Sequence, residues 1–460
     1  MTINDKKAKR RILYISLSAA TGGFLFGFDT AVISGAIDLV KTHFSLSTLI
    51  EGWFVSSGLL GCMLGVLLAG LLADWIGRKP VLLICGLLFL LSAVGCSLAP
   101  AIQWLIIFRL IGGIGVGVAS VISPMYITEF APAETRGRLV ALYQLSITLG
   151  ILVAYFSNAF LLSHAHSTFS NLTMFANEHI WRMMFLVMAL PALIFIILNR
   201  FIPESIRWLL TKNKEAQALQ VCTKIFGLEE APKKLAEWQH NRSHQTTQAS
   251  SLFRKSLRKP LIIGILLCVF QQFCGINAII YYGPQIFSAA GLAGANALQA
   301  QVIIGVVNVL FTAVAIRYAD QFGRKPLLII GLIGMIISLT LIGFCFHLMI
   351  KSAMLLLMGL MVFIACFALS VGPITWIIIN EIFPNEFRVK GVAICTFALW
   401  IAVWLVGQFF PWLMENVGTA GVFWCFACFS LLELIFCALS IKETKGKTLE
   451  ELEDLFTTTP

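Results

Sequence analysis

Gly70-Leu-Leu-Ala-Asp74-Trp-Ile-Gly77-Arg78-Lys79-Pro80 sets an acid, a glycine and two cations between two apolar runs. The chain then repeats the pattern 246 residues later as Tyr318-Ala-Asp320-Gln-Phe-Gly323-Arg324-Lys325-Pro326. A second pair obeys nearly the same offset: Glu129-Phe-Ala-Pro132-x-Glu134-x-Arg136 recurs as Glu381-Ile-Phe-Pro384-x-Glu386-x-Arg388, 252 residues on. Two independent motifs at almost one spacing mark a duplicated chain. Duplicated halves in an apolar chain are what transporters built around a central site look like.

The composition agrees. Of 460 residues, 58% are hydrophobic and 12% charged, with a mean hydropathy of +0.88. Soluble domains carry about a quarter charged residues, so a soluble enzyme, a disordered chain and an ordinary secreted domain are all excluded. A spanning helix needs about 20 apolar residues. Val81–Ala99, Met183–Asn199, Leu327–Phe346 and Gly391–Met414 supply them without a charge. Pro260–Ile316 is uncharged too, but its small, polar Ser288–Gln301 stretch divides it into two helices. Continuing along the chain gives spans over 12–37, 50–73, 81–99, 102–127, 137–162, 181–202, 260–287, 299–318, 326–348, 353–380, 389–414 and 419–441. The expected fold is an all-α membrane protein of twelve transmembrane helices in two pseudo-symmetric six-helix bundles, residues 1–202 and 260–441. Residues 203–259 form a cytoplasmic linker and 442–460 a cytoplasmic tail. Within the linker, Lys212–Thr223 and Lys233–Gln239 read as short surface helices and His240–Ser251 as flexible chain.

The net charge of +10 lies in loops rather than on a nucleic-acid-binding face. With both termini cytoplasmic, all of the 33 Lys and Arg except Lys41, Arg182, Lys351 and the intramembrane Arg109 fall on the inner side, as the positive-inside rule requires. The localisation expected is a multi-pass bacterial inner membrane protein, a monomer in lipid with no nucleic-acid partner. Most of the 12 Cys, including Cys62, Cys85, Cys96, Cys268, Cys366, Cys395 and Cys437, read as buried small hydrophobes, and the Cys425/Cys428 pair as helix packing. No residue pattern calls for a metal or an organic cofactor.

The repeated charges sit at cytoplasmic helix ends. Asp74 and Arg78 are placed to pair with Glu129 and Arg136, and Asp320 and Arg324 with Glu381 and Arg388. Such a network, formed in one state and broken in the other, would bias a two-state equilibrium and act as a gate.

These loops belong to a longer set of motifs. Together with Pro203-Glu204-Ser205-Ile-Arg207-Trp208 after the sixth span, Gln271-Gln272-x4-Asn277 in the seventh and Gly372-Pro373-x2-Trp376 in the tenth, the chain resembles the sugar porter family of the major facilitator superfamily from about Gly22 to Leu452. Its look is nearest to the bacterial proton-coupled hexose and pentose symporters. The resemblance implies a mid-membrane sugar site in which Gln144, Gln271, Gln272, Asn277 and Asn308 are amide ligands. It makes Trp376 and Trp400 aromatic walls, has Phe26, Tyr281, Tyr282 and Gly372 lining the site, and sets Glu204 among the cytoplasmic charges. The chemistry suits a sugar, since amides both donate and accept without net charge and aromatic faces cover the C–H side of the ring. Gln271 and Gln272 are neighbours, so a break near Gly275, or one Gln serving the next helix, is needed for the set to converge. Where the family usually has an amide before the eleventh-span Trp, this chain has Leu399.

Asp29 in the first span is the most informative single residue, because an intramembrane acid is functional by default. The resemblance places Arg109 opposite it. Burial favours the neutral acid and the guanidinium favours the carboxylate, so a small movement between them loads or unloads a proton. Glu433, also within a span, reads as a lesser candidate that snorkels toward the inner end. The function expected is proton-coupled uptake of a hexose or pentose by alternating access. A facilitative sugar or polyol uniporter is one alternative. A non-transporting sugar sensor is another, although 19 residues follow the last span where such sensors carry a long tail. No nucleophile–base pair points to an enzyme.

Overall fold

The computed structural model describes residues 6–132, 135–164, 179–243, 255–292, 294–350, 352–384 and 387–445. Twelve segments among them are long and apolar enough to cross a membrane. The first five are single helices: α1 (Lys6–Phe44), α2 (Thr48–Ile76), α3 (Arg78–Leu98), α4 (Ile102–Phe130) and α5 (Arg136–His164). The sixth span is divided into α6 (Ile180–Val187) and α7 (Ala189–Phe201). A linker of α8 (Ile206–Thr211), α9 (Glu215–Phe226) and α10 (Ala231–Ser243) leads to the second half. There the seventh span is α11 (Lys255–Phe273) plus α12 (Ile276–Ala289), followed by α13 (Ala295–Phe322) and α14 (Arg324–His347). The tenth is α15 (Ala353–Leu369) plus α16 (Val371–Glu381), and α17 (Arg388–Asn416) and α18 (Gly418–Ser440) complete the set.

The two halves pack by one plan. In the first, α1 lies on α5, α2 on α4, and α3 on α6 and α7; in the second, α11 lies on α17, α13 on α15, and α14 on α18. Glycine permits the tightest of these contacts. A methyl group at Gly27 of α1 would run into the Ile147 carbonyl of α5, and one at Gly113 of α4 into the Gly58 carbonyl of α2. Such backbone-to-backbone approach is the usual packing of helices whose solvent is lipid, where hydrophobic burial gives helices no reason to associate. The outer surface is correspondingly apolar, with Leu71, Trp75, Phe201 and Leu439 all more than 70% exposed.

Across the halves, α2 meets α17, α5 meets α13 and α1 meets α12. Hydrogen bonds join them at the ends remote from the Gly-Arg-Lys loops. Thr48 Oγ1 donates to Glu415 at 2.6 Å, Ser56 Oγ to Gln408 Oε1 at 2.6 Å, and Tyr155 of α5 to the Ile280 carbonyl at 3.1 Å. That end is called the far face below, and the end carrying the Gly-Arg-Lys loops the basic face.

Several local expectations are corrected. The linker holds a helix that sequence reading missed, α8, and it is no surface element: Ile206, Trp208, Leu209 and Leu210 are buried. Its later helices are shifted, and α10 runs on through residues 240–243, where the sequence predicts flexible chain; residues 244–254 lie outside the described residues. Cys425 and Cys428 are exposed on the outer surface of α18 rather than packed, and Cys366 is half-buried. Glu433 does not snorkel. It is fully buried, with neither carboxylate oxygen hydrogen-bonded among the described residues.

Candidate substrate and proton site

The seventh span breaks at Gly275, whose φ of +91° lies in the left-handed region that a side chain resists and where Phe426 fills the space a methyl would need. The break turns Asn277 back toward Gln272, while Gln271 reaches the tenth span. Gln272 Nε2 donates to Gln271 Oε1 at 3.0 Å, and Asn277 Nδ2, beyond the break, donates back to Gln272 Oε1 at 2.5 Å. Gln271 Nε2 in turn donates to the Val371 and Gly372 carbonyls, at 2.9 and 3.2 Å, where the tenth span is interrupted at Ser370. Three amides thus form one chain running between two broken helices. Gly372 enters it through its carbonyl.

The aromatic residues expected as walls come from both halves. Phe26 of α1 and Trp400 of α17 face each other with ring centroids 5.6 Å apart, and Leu399 is buried beside Trp400. Trp400 Nε1 is buried with no hydrogen-bond acceptor among the described residues. Gln144 on α5 and Trp376 on α16 are half-buried, and Asn308 on α13 is nearly buried and accepts from Thr312. No hydrogen bond ties these three to the amide chain among the described residues. Tyr281 is buried, and Tyr282 does not line an opening here: its hydroxyl donates to the Gly407 carbonyl at 2.7 Å and its ring stacks on Phe410.

Asp29 and Arg109 form a buried pair, each 3% exposed, with Nη1 3.0 Å from Oδ1 and 3.3 Å from the Asp29 carbonyl. Small residues fit around it. A methyl at Gly58 of α2 would press on the guanidinium, and one at Gly112 of α4 would crowd Ser92 and Asp29. Leu59, next to Gly58 on α2, reaches Gly407 of α17, which Tyr281 also adjoins, so the pair is one helix removed from the half-to-half interface. An ion pair at this depth tolerates the loss of neither member: removing one partner leaves the other charged and buried, a cost of about 3–5 kcal/mol.

At the basic face the repeated motifs build matching clusters, each within its own half. Arg78 lies 3.2 Å from Glu129 and from the exposed Asp74, and Arg324 lies 3.3 Å from Glu381. Glu129 Oε2 and Glu381 Oε2 are buried and lack a hydrogen-bond partner among the described residues. Arg136 is exposed and takes part in no ion pair among the described residues, contrary to expectation. The side chains of Asp320 and Arg388 lie outside the described residues.

Glu204 does not face the guanidinium groups. It accepts from the backbone N–H groups of Arg78, Lys79 and Ser205, capping α3. Burial pushes its carboxyl up, against the pull of those donors. Its counterpart in the second half was not picked out from the sequence. Glu443 caps α14 in the same way, through Arg324 N and Lys325 N at 3.0 Å each, and also accepts from Thr444 N and Lys445 N. For Glu443 burial also pushes up, but the four donors outweigh it and hold the carboxyl below the usual range. The signal available was a third repeat, Glu204-Ser-Ile against Glu443-Thr-Lys, too short to stand out by itself.

Comparison with known proteins gives one answer. The model of the family described as "Sugar (and other) transporter" matches residues 15–456. The arabinose-proton symporter of Bacillus subtilis is 41% identical over 446 residues, 97% of this chain and 95% of the relative. The D-xylose-proton symporter of Escherichia coli is 38% identical over 486 residues, 99% of this chain and 97% of the relative. Among solved structures, the xylose transporter of Escherichia coli in an inward open conformation superposes with a TM-score of 0.84 at 37% identity, covering 97% of this chain and all of the other. With its twelve spans, its paired halves and this similarity along nearly its whole length, the chain belongs to the sugar transporter family of the major facilitator superfamily.

Proposed function

We propose that this protein is a proton-coupled monosaccharide symporter that carries a hexose or pentose by alternating access, as its arabinose- and xylose-proton symporter relatives are named for doing. The observation that carries the reading is the buried Asp29–Arg109 pair, 3.0 Å apart, at the edge of an uncharged amide and aromatic site. Among the described residues the amide and aromatic groups carry no net charge, and their donors and acceptors suit hydroxyl groups.

The coupling follows from electrostatics. With Asp29 charged, the attraction to Arg109 holds α1 against α4. A proton on Asp29 cancels most of that attraction, frees the guanidinium and lowers the barrier for the halves to rock about the bound sugar. Once Asp29 faces the other side, losing the proton restores the pair and resets the cycle. Glu129, Arg78, Glu381 and Arg324 act at the basic face as the second gate. The half-satisfied carboxylates Glu129 and Glu381 are positioned to take further partners when that face closes, and Asp74, Arg136, Asp320 and Arg388 belong to the same set. The positive-inside rule assigns the basic face and both termini to the cytoplasm of a bacterial inner membrane, with the monomer as the working unit. In this orientation the hydrogen bonds between the halves close the outer side, which corresponds to an inward-facing state.

The test is Asp29→Asn in proteoliposomes. The variant loses uphill accumulation driven by a proton gradient yet retains sugar counterflow. Undiminished gradient-driven uptake removes Asp29 from the mechanism. Sugar addition without alkalinisation of a lightly buffered cell suspension by the parent protein makes it a uniporter.

A further inference from the structure

The far face is closed by contacts between helices of opposite halves, and one of them differs from the rest. Gln285 lies on α12, the half of the seventh span beyond the Gly275 break. Its Nε2 donates at 2.7 Å to Asp38 Oδ1 of α1 and at 2.7 Å to Glu51 Oε1 of α2. Glu51 is 1% exposed and is also held by Lys41 Nζ at 2.7 Å through its other oxygen. One neutral amide therefore joins two carboxylates of the opposite half, and one of those carboxylates is already neutralised by a lysine of its own half.

We propose that Gln285 is a clasp that sets the balance between the two faces: its amide holds the far face shut by binding Asp38 and Glu51, with Lys41 as the anchor on the N-terminal side. The arrangement suits repeated release. Asp38 is exposed and Lys41 partly so, so that when α12 swings away Asp38 turns to water and Glu51 keeps its lysine. No charge is stranded in either state, whereas a direct carboxylate–cation pair between the halves would leave one. Hydrogen bonds to charged acceptors are worth more than neutral ones, so a glutamine here is strong enough to bias the equilibrium and weak enough to let go. The clasp also acts on the piece of chain that carries Asn277, Tyr281 and Tyr282, so far-face closure and the sugar site move as one element. As a positioning residue Gln285 acts on the transport reading above, without touching the sugar.

The experiment is hydrogen exchange by mass spectrometry on the full-length protein in lipid nanodiscs, comparing the parent with Gln285→Glu and Gln285→Leu. Glutamate sets a third carboxylate against Asp38 and Glu51. The expected result is faster exchange at the far-face ends of α2 and α12 and slower exchange at the basic-face ends of α4 and α16. The expected size is about tenfold, the worth of one hydrogen bond to a charged acceptor. Gln285→Leu moves both faces in the same directions by less. Adding Asp38→Asn and Glu51→Gln to Gln285→Glu reverses donor and acceptor and gives Lys41 a new partner, which returns both faces to the parent values. Faster exchange at both faces, no change at either, or no rescue by the triple variant overturns the proposal. The measurement needs no sugar, so it stands or falls apart from the identity of the cargo. In transport, the same Gln285→Glu variant lowers the external half-saturation concentration and the maximal rate together, a split that a merely unstable protein does not show.

Discussion

At the scale of single residues, Asp29 and Arg109 show what intramembrane charge reveals and what it hides. An acid and a guanidinium in separate spans are visible in any reading of the chain, and the structure sets them 3.0 Å apart. Glu433 is as visible, but hydropathy gives depth along a helix and not rotation about it; the residue turns inward on α18. Leu399 is the informative departure in the proposed sugar site. It is buried beside Trp400, whose ring faces Phe26, so an amide there would bring a donor and an acceptor to the aromatic wall. Leu399→Gln should alter preference by chemistry rather than by size. The expected outcome is a fall of about tenfold in half-saturation for the sugar that presents a hydroxyl to the new amide, and weaker transport of its deoxy analogue, because an unmatched buried polar group costs about 1–3 kcal/mol. Counterflow with a panel of labelled hexoses, pentoses and deoxy sugars reads this directly. Equal scaling of every sugar in the panel would place Leu399 outside the substrate's reach.

Helix ends and breaks carry most of what differs between the sequence reading and the structure. The Gly275 break was legible as one of two options, the other being a Gln that serves another span, and the structure shows both: the chain breaks at Gly275 and Gln271 bonds the tenth span. The α8 helix was not, being six residues long and too short to show a period. The Glu443 cap is hidden in the sequence for a related reason: its backbone N–H groups are supplied from 118 or 119 residues away, and no local pattern displays them. The two caps now make opposite predictions. Glu443 is held below the ordinary carboxyl range, so its charged form favours the fold; that contribution is complete above the unfolded-state value, about 4.3, and disappears as pH falls through the lower folded value. Glu443→Gln should therefore lower the thermal unfolding midpoint at pH 7, with a gap to the parent that is constant from pH 8 to 5 and closes only under stronger acid. Glu204 is shifted upward by burial, so protonation favours its folded form as pH falls, and Glu204→Gln shows no such acid-limited gap. Thermal unfolding in detergent across that pH range checks both. A Glu443→Gln gap that closes between pH 8 and 5 would contradict the cap.

For the whole molecule, the balance between faces rests on how closely the halves approach at the far end. The closest approach is made by Gly52 of α2, where a methyl would meet the Gln408 carbonyl of α17. The obstacle is backbone, so no rotamer change relieves it and any side chain must wedge the halves apart. Gln408 also accepts from Ser56 and donates to the Leu49 carbonyl, so the wedge would break two cross-half hydrogen bonds at once. The Asp29–Arg109 pair lies wholly within the first half and is untouched. Gly52→Leu should accordingly separate binding from transport. Sugar still binds from the far face, since the amide chain belongs to the second half and the wedge opens the route to it, while counterflow and gradient-driven uptake fall by at least tenfold because that face no longer closes. Equilibrium binding of a labelled sugar, set against counterflow in the same proteoliposomes, separates the two. Gly52→Leu and Gln285→Glu should also fail to add, since a clasp has nothing to hold once a wedge keeps its halves apart. Additive losses would mean that the two sites govern different motions.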